Sequence, residues 1–180
     1  AKFQGSSVGS FGFLSTYSFY ATKMVTSGYG GAVFSKNEEL LEWLTDYLNF
    51  DMPGHYKPRF NYLLSDVNSG MLLEQLKKFD YFLQTRKQIF LQYKNKFGSL
   101  IFESKLENCT PNYYRILLKV EKPQLLIDYM AERGIKAIIP IMRKELLHNY
   151  LNMDYKLFPV AEQIASQYVS LPAYPGLTSE

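Results

Sequence analysis

The chain has 180 residues, 47% of them hydrophobic and 21% charged, a balance that builds a packed core and excludes a disordered tail. Its net charge is only +3 and the basic residues are spread along its length, without the stripe that nucleic-acid binding requires. No apolar run reaches the ~20 residues that span a bilayer, no signal peptide opens the chain, and the single Cys109 excludes an internal disulfide and fits a reducing compartment, so a soluble, cytoplasmic α/β protein is expected.

In chain order, "FLSTYSF" (Phe13 to Phe19) has strand composition with partial alternation. "YSFYATKMVTSGYGG" follows, a lysine set between aromatic and small residues. "GAVFS" (Gly31 to Ser35) suits a buried strand. Asn37 is placed as an N-cap, with Glu38 and Glu39 in the favourable first turn. Leu40, Leu44 and Leu48 give the next helix one apolar side. "NFDMPGHYKPRFN" carries two prolines and a glycine and is expected to be an exposed loop. Ser65 or Asp66 caps a further helical stretch. There Leu72, Leu76, Phe79, Leu83, Phe90, Tyr93 and Phe97, with Arg86 on the same stripe, predict one long helix or two in near line, ended by Gly98.

The remainder is expected to form a compact α/β lobe. "SLIFES" and "YYRILLKV" have strand composition. Pro123 opens a helix that Gly134 closes, and "IKAII" supplies a strand soon after, so residues 113–139 are expected to form a β-α-β unit. "PVAEQIASQY" is a short helix from Pro159, and "VSLPAYPGL" an extended, proline-punctuated segment. Thr178, Ser179 and Glu180 read as the first turn of another helix, and both ends of the chain read as cut.

Lys23 is the residue with the most chemical promise. A lysine held against apolar surroundings becomes an imine-forming nucleophile. Pyridoxal phosphate (PLP) needs such a lysine, together with hydroxyl or backbone N–H groups for its phosphate. Ser18 lies five residues earlier, Phe19 and Tyr20 are placed to wall a site, and Gly28, Gly30 and Gly31 permit close backbone approach. By composition alone a solvated surface turn is the favoured account of Lys23, because lysine is almost never buried without a reason. His55, His148 and Cys109 share no ligand spacing, so no metal site is expected. "GYGG" lacks dinucleotide-fingerprint spacing.

Three segments carry a resemblance over essentially the whole chain. "SFYATKMVTSGYGGAVFSKNEEL", "FNYLLSDVNSGMLLEQLKKFDYFLQTRKQIFLQY" and "LFPVAEQIASQYVSLPAYPGLTSE" resemble, in order, the lysine segment, the Asn-Tyr-Arg-Met stretch with its following helices, and the Phe-Pro-x-Ala-Glu ending of the DegT/DnrJ/EryC1/StrS family of PLP-dependent sugar aminotransferases. The resemblance implies the C-terminal part of a fold type I large domain (residues 1–64), a connecting helix or helix pair (65–97) and a small α/β domain (98–180).

It also implies roles. Lys23 stands where the family lysine anchors PLP covalently and then moves a proton between donor carbon and cofactor. Ser18 stands where a hydroxyl holds the PLP phosphate. Asn61 stands where an Asn reaches the phosphate in the neighbouring subunit of a homodimer with shared sites. The implied reaction moves an amino group, usually from glutamate, to a keto group of a nucleotide-linked sugar. Nucleic acid and membrane are not implied partners. The alternative is a non-catalytic relative kept for dimerisation or partner binding. Departures from the family pattern are Leu63 for the common Arg, Tyr29 for the usual Glu, Asn68-Ser69-Gly70 for a Gln-Ala-Ala-like run, and Met142 near a frequent His. The family's N-terminal elements, a glycine-rich phosphate turn and the Asp that holds the ring nitrogen, have no counterpart here.

Overall fold

The computed structural model describes residues 1–51 and 54–177. The expected helical turn at Thr178–Glu180 and the Met52-Pro53 part of the expected loop lie outside the described residues. The chain divides into two units, Ala1–Tyr81 with Glu107–Thr110, and Phe82–Leu106 with Pro111–Glu180. Among the described residues no helix is long and apolar enough to cross a membrane.

The first unit begins with β1 (Lys2–Phe3) and β2 (Ser6–Ser7), followed by β3 (Leu14–Ser18) and β4 (Gly31–Ser35). Strands β3 and β4 pair antiparallel with Leu14 opposite Ser35 and Ser18 opposite Gly31. Helix α1 (Glu38–Leu48) starts at Asn37, whose Oδ1 accepts the Leu40 N–H at 2.7 Å, the N-cap expected of an Asn before an apolar-periodic run. Helix α2 (Asp66–Lys77) starts at Ser65, whose hydroxyl accepts the Asn68 N–H at 3.3 Å. Strand β5 (Cys109–Thr110) pairs antiparallel with β1, completing a three-stranded sheet in the order β2-β1-β5. Nothing in the sequence pattern announces that sheet, because two-residue strands are too short to alternate.

The chain passes into the second unit within α3 (Phe79–Phe97). The apolar stripe expected over residues 72–97 is therefore divided between α2 and α3 at Lys78. On α3 the buried positions are Arg86, Ile89 and Phe90, a helical i, i+3, i+4 set, and Gly98 with φ +55° ends the helix. Strand β6 (Ile116–Lys119), helix α4 (Pro123–Ala131), the single turn α5 (Leu147–Tyr150), helix α6 (Pro159–Gln167) and strand β7 (Tyr168–Leu171) follow. Helix α4 has Pro123 in its first turn. Beyond its end, Gly134 at φ +73° donates to the Ala131 carbonyl and Ile135 to the Met130 carbonyl, the paired bonds of a Schellman motif.

The sheet of this unit corrects two strand expectations. Strands β6 and β7 pair antiparallel, Ile116 opposite Leu171 and Leu118 opposite Val169. The segments expected as strands at "SLIFES" and "IKAII" are reduced to single bridges, Ile101 to Leu118 and Ile138 to Ser170. Ile138 runs antiparallel to β7, which runs antiparallel to β6, so the β-α-β handover survives as direction with β7 inserted between its two edges. Ile116, Leu118, Val169 and Leu171 share the inward face and pack with Ile89, Phe90, Ile101 and Ala137. Arg86, 9% exposed, lies in the same unit. Its Nη1 donates to the Tyr114 and Ala173 carbonyls and so stitches the segments flanking β6 and β7. Burial pushes its pKa below the ordinary guanidinium value.

The Phe-Pro-x-Ala-Glu segment organises the edge of this unit. Phe158 stacks on His148 with ring centroids 4.5 Å apart, Pro159 opens α6, and Glu162 takes His148 Nε2 at 2.8 Å and Arg143 Nε at 2.6 Å. The His148 hydrogen bond holds the Glu162 carboxyl below its ordinary value of 4.5; burial acts in the opposite sense, and Arg143 adds to the lowering. Because the folded value is the lower one, the stabilisation is complete above the ordinary carboxylate value and is lost as pH falls through the folded value. Glu162→Gln is expected to flatten this part of the acid-unfolding profile, measured by thermal melts from neutral to strongly acidic pH.

Candidate active site

The connection between β3 and β4, residues 19–30, is a folded knot. Phe19 N–H donates to the Gly30 carbonyl at 2.9 Å, and the Phe19 carbonyl accepts the Ser27 N–H and the Thr26 hydroxyl, each at 3.0 Å. Thr26 Oγ1 in turn accepts the Gly28 N–H at 2.9 Å, and the Ser27 hydroxyl donates to the Tyr29 carbonyl. Among the described residues of the first unit, the buried side chains are Phe19, Val25 and Ser27, all in this turn. The glycines are required by space and by backbone conformation. A Cβ on Gly31 would stand 2.6 Å from the Tyr17 carbonyl oxygen. One on Gly30, at φ +108°, would stand 2.5 Å from Leu64 Cδ1. The backbone oxygen leaves no room for a side chain at Gly31, and at Gly30, where Leu64 can shift, the positive φ is what favours glycine.

Lys23 rides on the outside of this knot. Its backbone N–H closes a turn onto the Tyr20 carbonyl at 2.9 Å. Its side chain is exposed, and its ammonium has no hydrogen bond or ion pair among the described residues. Ser18, the last residue of β3, accepts the Tyr20 N–H at 3.4 Å on its hydroxyl oxygen, which leaves the hydroxyl proton free to donate. Tyr29 sets its ring edge-on to Tyr20 at 5.7 Å, an aromatic contact where the resembled family has a carboxylate.

Asn61 lies on the segment between α1 and α2. A chain of rings fixes that segment: Trp43 stacks on Tyr47 at 5.3 Å, Tyr47 meets Phe60 at 5.0 Å, and Phe60 stacks on Tyr62 at 5.3 Å. Phe60 N–H also donates to the Tyr47 carbonyl at 3.1 Å. Upstream, Arg59 binds Asp46 Oδ1 at 2.9 Å and Lys57 pairs with the same carboxylate, so the loop is tied to the end of α1. Asn61 is the central residue of a tight turn in which the Tyr62 N–H donates to the Phe60 carbonyl at 3.0 Å. Asn61 is exposed. No hydrogen bond joins Lys23, Ser18 and Asn61 to one another. Their segments meet instead through Leu64 against Gly30 and through Asn68, whose Nδ2 donates to the Ser27 carbonyl. Leu63 is 57% exposed and joins Tyr62 and Leu64 in walling an apolar cleft against β3–β4. Met142, near the position of a frequent family His, donates its N–H to Glu145 Oε2 at 2.7 Å.

Reading the sequence did not pick out Thr26 or Ser27, and took Asn68 only as a departure from the family pattern. Their signal was hydroxyl and amide turn chemistry next to a glycine pair, but the Asn68 contact spans 41 residues. Among the described residues no group of three or more His, Cys, Asp or Glu is placed to hold a metal ion.

The DegT/DnrJ/EryC1/StrS aminotransferase family profile matches residues 1–180. The chain belongs to this family. It is similar to the GDP-perosamine synthase of Escherichia coli O157:H7, with 24% identity over 189 residues covering 100% of this chain and 52% of the relative. Among solved structures it is similar to the aminotransferase TlmJ from Streptoalloteichus hindustanus, with a TM-score of 0.85 and 19% identity over 99% of this chain and 51% of that one. It is also similar to the PLP-form of the sugar aminotransferase Spr1654 from Streptococcus pneumoniae, with a TM-score of 0.82 and 23% identity over 98% and 50%. The fold is thus the α/β fold expected from the resemblance, and PLP is the family's cofactor. The chain spans about half the length of the relatives it matches.

Proposed function

We propose that this chain carries the lysine-bearing part of a PLP-dependent aminotransferase that moves an amino group, from glutamate, to a keto sugar nucleotide. The site belongs to residues 1–64, with 65–97 as connecting helices and 98–180 as the small domain. The observation that carries the reading is the knot at residues 19–30. It spends its glycines and its buried hydrogen bonds on a rigid turn, and presents from it a single uncommitted amine.

The residues fit PLP by their chemistry. The cofactor, when bound, supplies the electron sink that lets an amino group change owners. Lys23 Nζ, with no competing carboxylate among the described residues, would hold the cofactor by its aldehyde carbon, and as a free amine it would hold and move the proton at the donor carbon. The Ser18 hydroxyl, its lone pair engaged by Tyr20 N–H, donates its proton to the phosphate. Asn61, on its ring-braced segment, supports the phosphate from the second subunit of a homodimer.

The test is to add PLP to the complete protein, reduce with borohydride and map the modified peptide. A single label on the peptide containing Lys23 is expected. A label elsewhere, or none, overturns the assignment and favours a non-catalytic relative.

A further inference from the structure

Asn68 departs from the family pattern and has no contact with Lys23, yet it sits at the junction between the two site segments. It occupies the third position of α2, where a longer amide commonly folds back onto the helix's own first N–H. Here the side chain goes the other way. Ser65 Oγ–H donates to Asn68 Oδ1 at 2.6 Å, and the Ser27 carbonyl on the other side, which can only accept, requires the NH2 end of the amide to face it. Nδ2 is thereby turned outward and donates to the Ser27 carbonyl. Ser27 is fully buried, and its other groups hold the turn from inside: its N–H on the Phe19 carbonyl and its hydroxyl on the Tyr29 carbonyl. Leu64 adds a second contact, closing over Gly30.

We infer that Asn68 is a positioning residue for Lys23, an inference that rests on the function proposed above. Its amide clamps the middle of the lysine turn to the N-terminus of α2. It thereby restrains the turn from which Lys23 Nζ would reach the cofactor's aldehyde carbon. Anchoring is a bimolecular capture whose rate depends on how often the amine is in line. A turn released from α2 has a buried carbonyl without a partner and opens more often.

The experiment uses the complete protein in wild-type, Asn68→Ala and Asn68→Asp forms. The aspartate keeps the acceptor for Ser65 but sets an anionic oxygen, in place of the donor, against the Ser27 carbonyl, so alanine is the variant that removes the bond without adding a charge. Two quantities are read: hydrogen exchange of amides 19–30 in PLP-free protein, and the rate at which added PLP becomes borohydride-fixable on Lys23. Both variants are expected to raise exchange in the turn and to slow capture, each on the order of tenfold, as loss of one buried hydrogen bond gives, with the melting midpoint little changed. Exchange unchanged in both variants overturns the clamp. Exchange raised with capture at the wild-type rate overturns the positioning role. Wild-type protein that captures no PLP at Lys23 overturns the functional reading, and this inference with it.

Discussion

Lys23→Ala in the complete protein is expected to lower kcat by about 10³-fold or more, the scale on which a positioned proton-transferring group contributes, while leaving stability within about 0.5 kcal/mol, as for other exposed substitutions. The second half of that expectation follows from the site. The Lys23 side chain is exposed and unpaired, while the buried bonds of the turn belong to Phe19, Thr26 and Ser27. Removing the side chain beyond Cβ therefore deletes chemistry and leaves the scaffold. Lys23→Arg sharpens the result, because a guanidinium keeps the charge but cannot be deprotonated to act as a nucleophile. Both variants are expected to be inactive. Exogenous methylamine is expected to restore part of the activity of Lys23→Ala, by replacing the missing amine, and none of that of Lys23→Arg. Steady-state kinetics alongside thermal melts give the answer, and an alanine variant retaining a tenth of wild-type turnover would sink the assignment.

The largest effect on stability is expected at Ile116. It is 1% exposed, pairs with Leu171 across the sheet and belongs to the cluster with Ile89, Phe90 and Ile101. Ile116→Ala removes three buried carbons and leaves a cavity that a two-strand pairing on one side and α3 on the other cannot close. A loss of about 2–5 kcal/mol is expected. Leu117, its half-buried neighbour on the opposite face, serves as the control, with a clearly smaller loss on substitution by alanine. Urea unfolding distinguishes the two, and equal losses would show that the inward face has been misassigned.

Helix starts were the most legible part of the sequence. Asn37, Ser65, Pro123 and Pro159 each mark a helix start, because a capping oxygen or a missing N–H acts within a few residues of itself. Strand ends were less legible. Apolar composition near Ile101 and Ile138 announced extended chain, but each makes only one bridge, since the pairing length is set by a partner far along the sequence. Lys23 stood out from its neighbours in sequence, but composition alone favoured a solvated turn and only the resemblance gave it a role; the exposed ammonium is compatible with both. What distinguishes this turn from an ordinary loop is its buried Phe19, Val25 and Ser27 and the hydroxyl bonds of Thr26 and Ser27, and these support the proposed site. Its link to α2 depends on residues 41 apart, beyond the reach of any local pattern.

The placement of β7 has a consequence for biosynthesis. It is the inner ribbon of its sheet, with β6 on one side and Ile138 on the other, and Val169 in it is completely buried. The chain makes its edges first and its centre last. A nascent second unit therefore holds Ile101, Ile116 and Leu118 without their covering strand until residue 171 has left the ribosome, and this long-range closure slows maturation. Premature termination anywhere before Tyr168 is expected to yield a product that chaperones and proteases treat as unfolded.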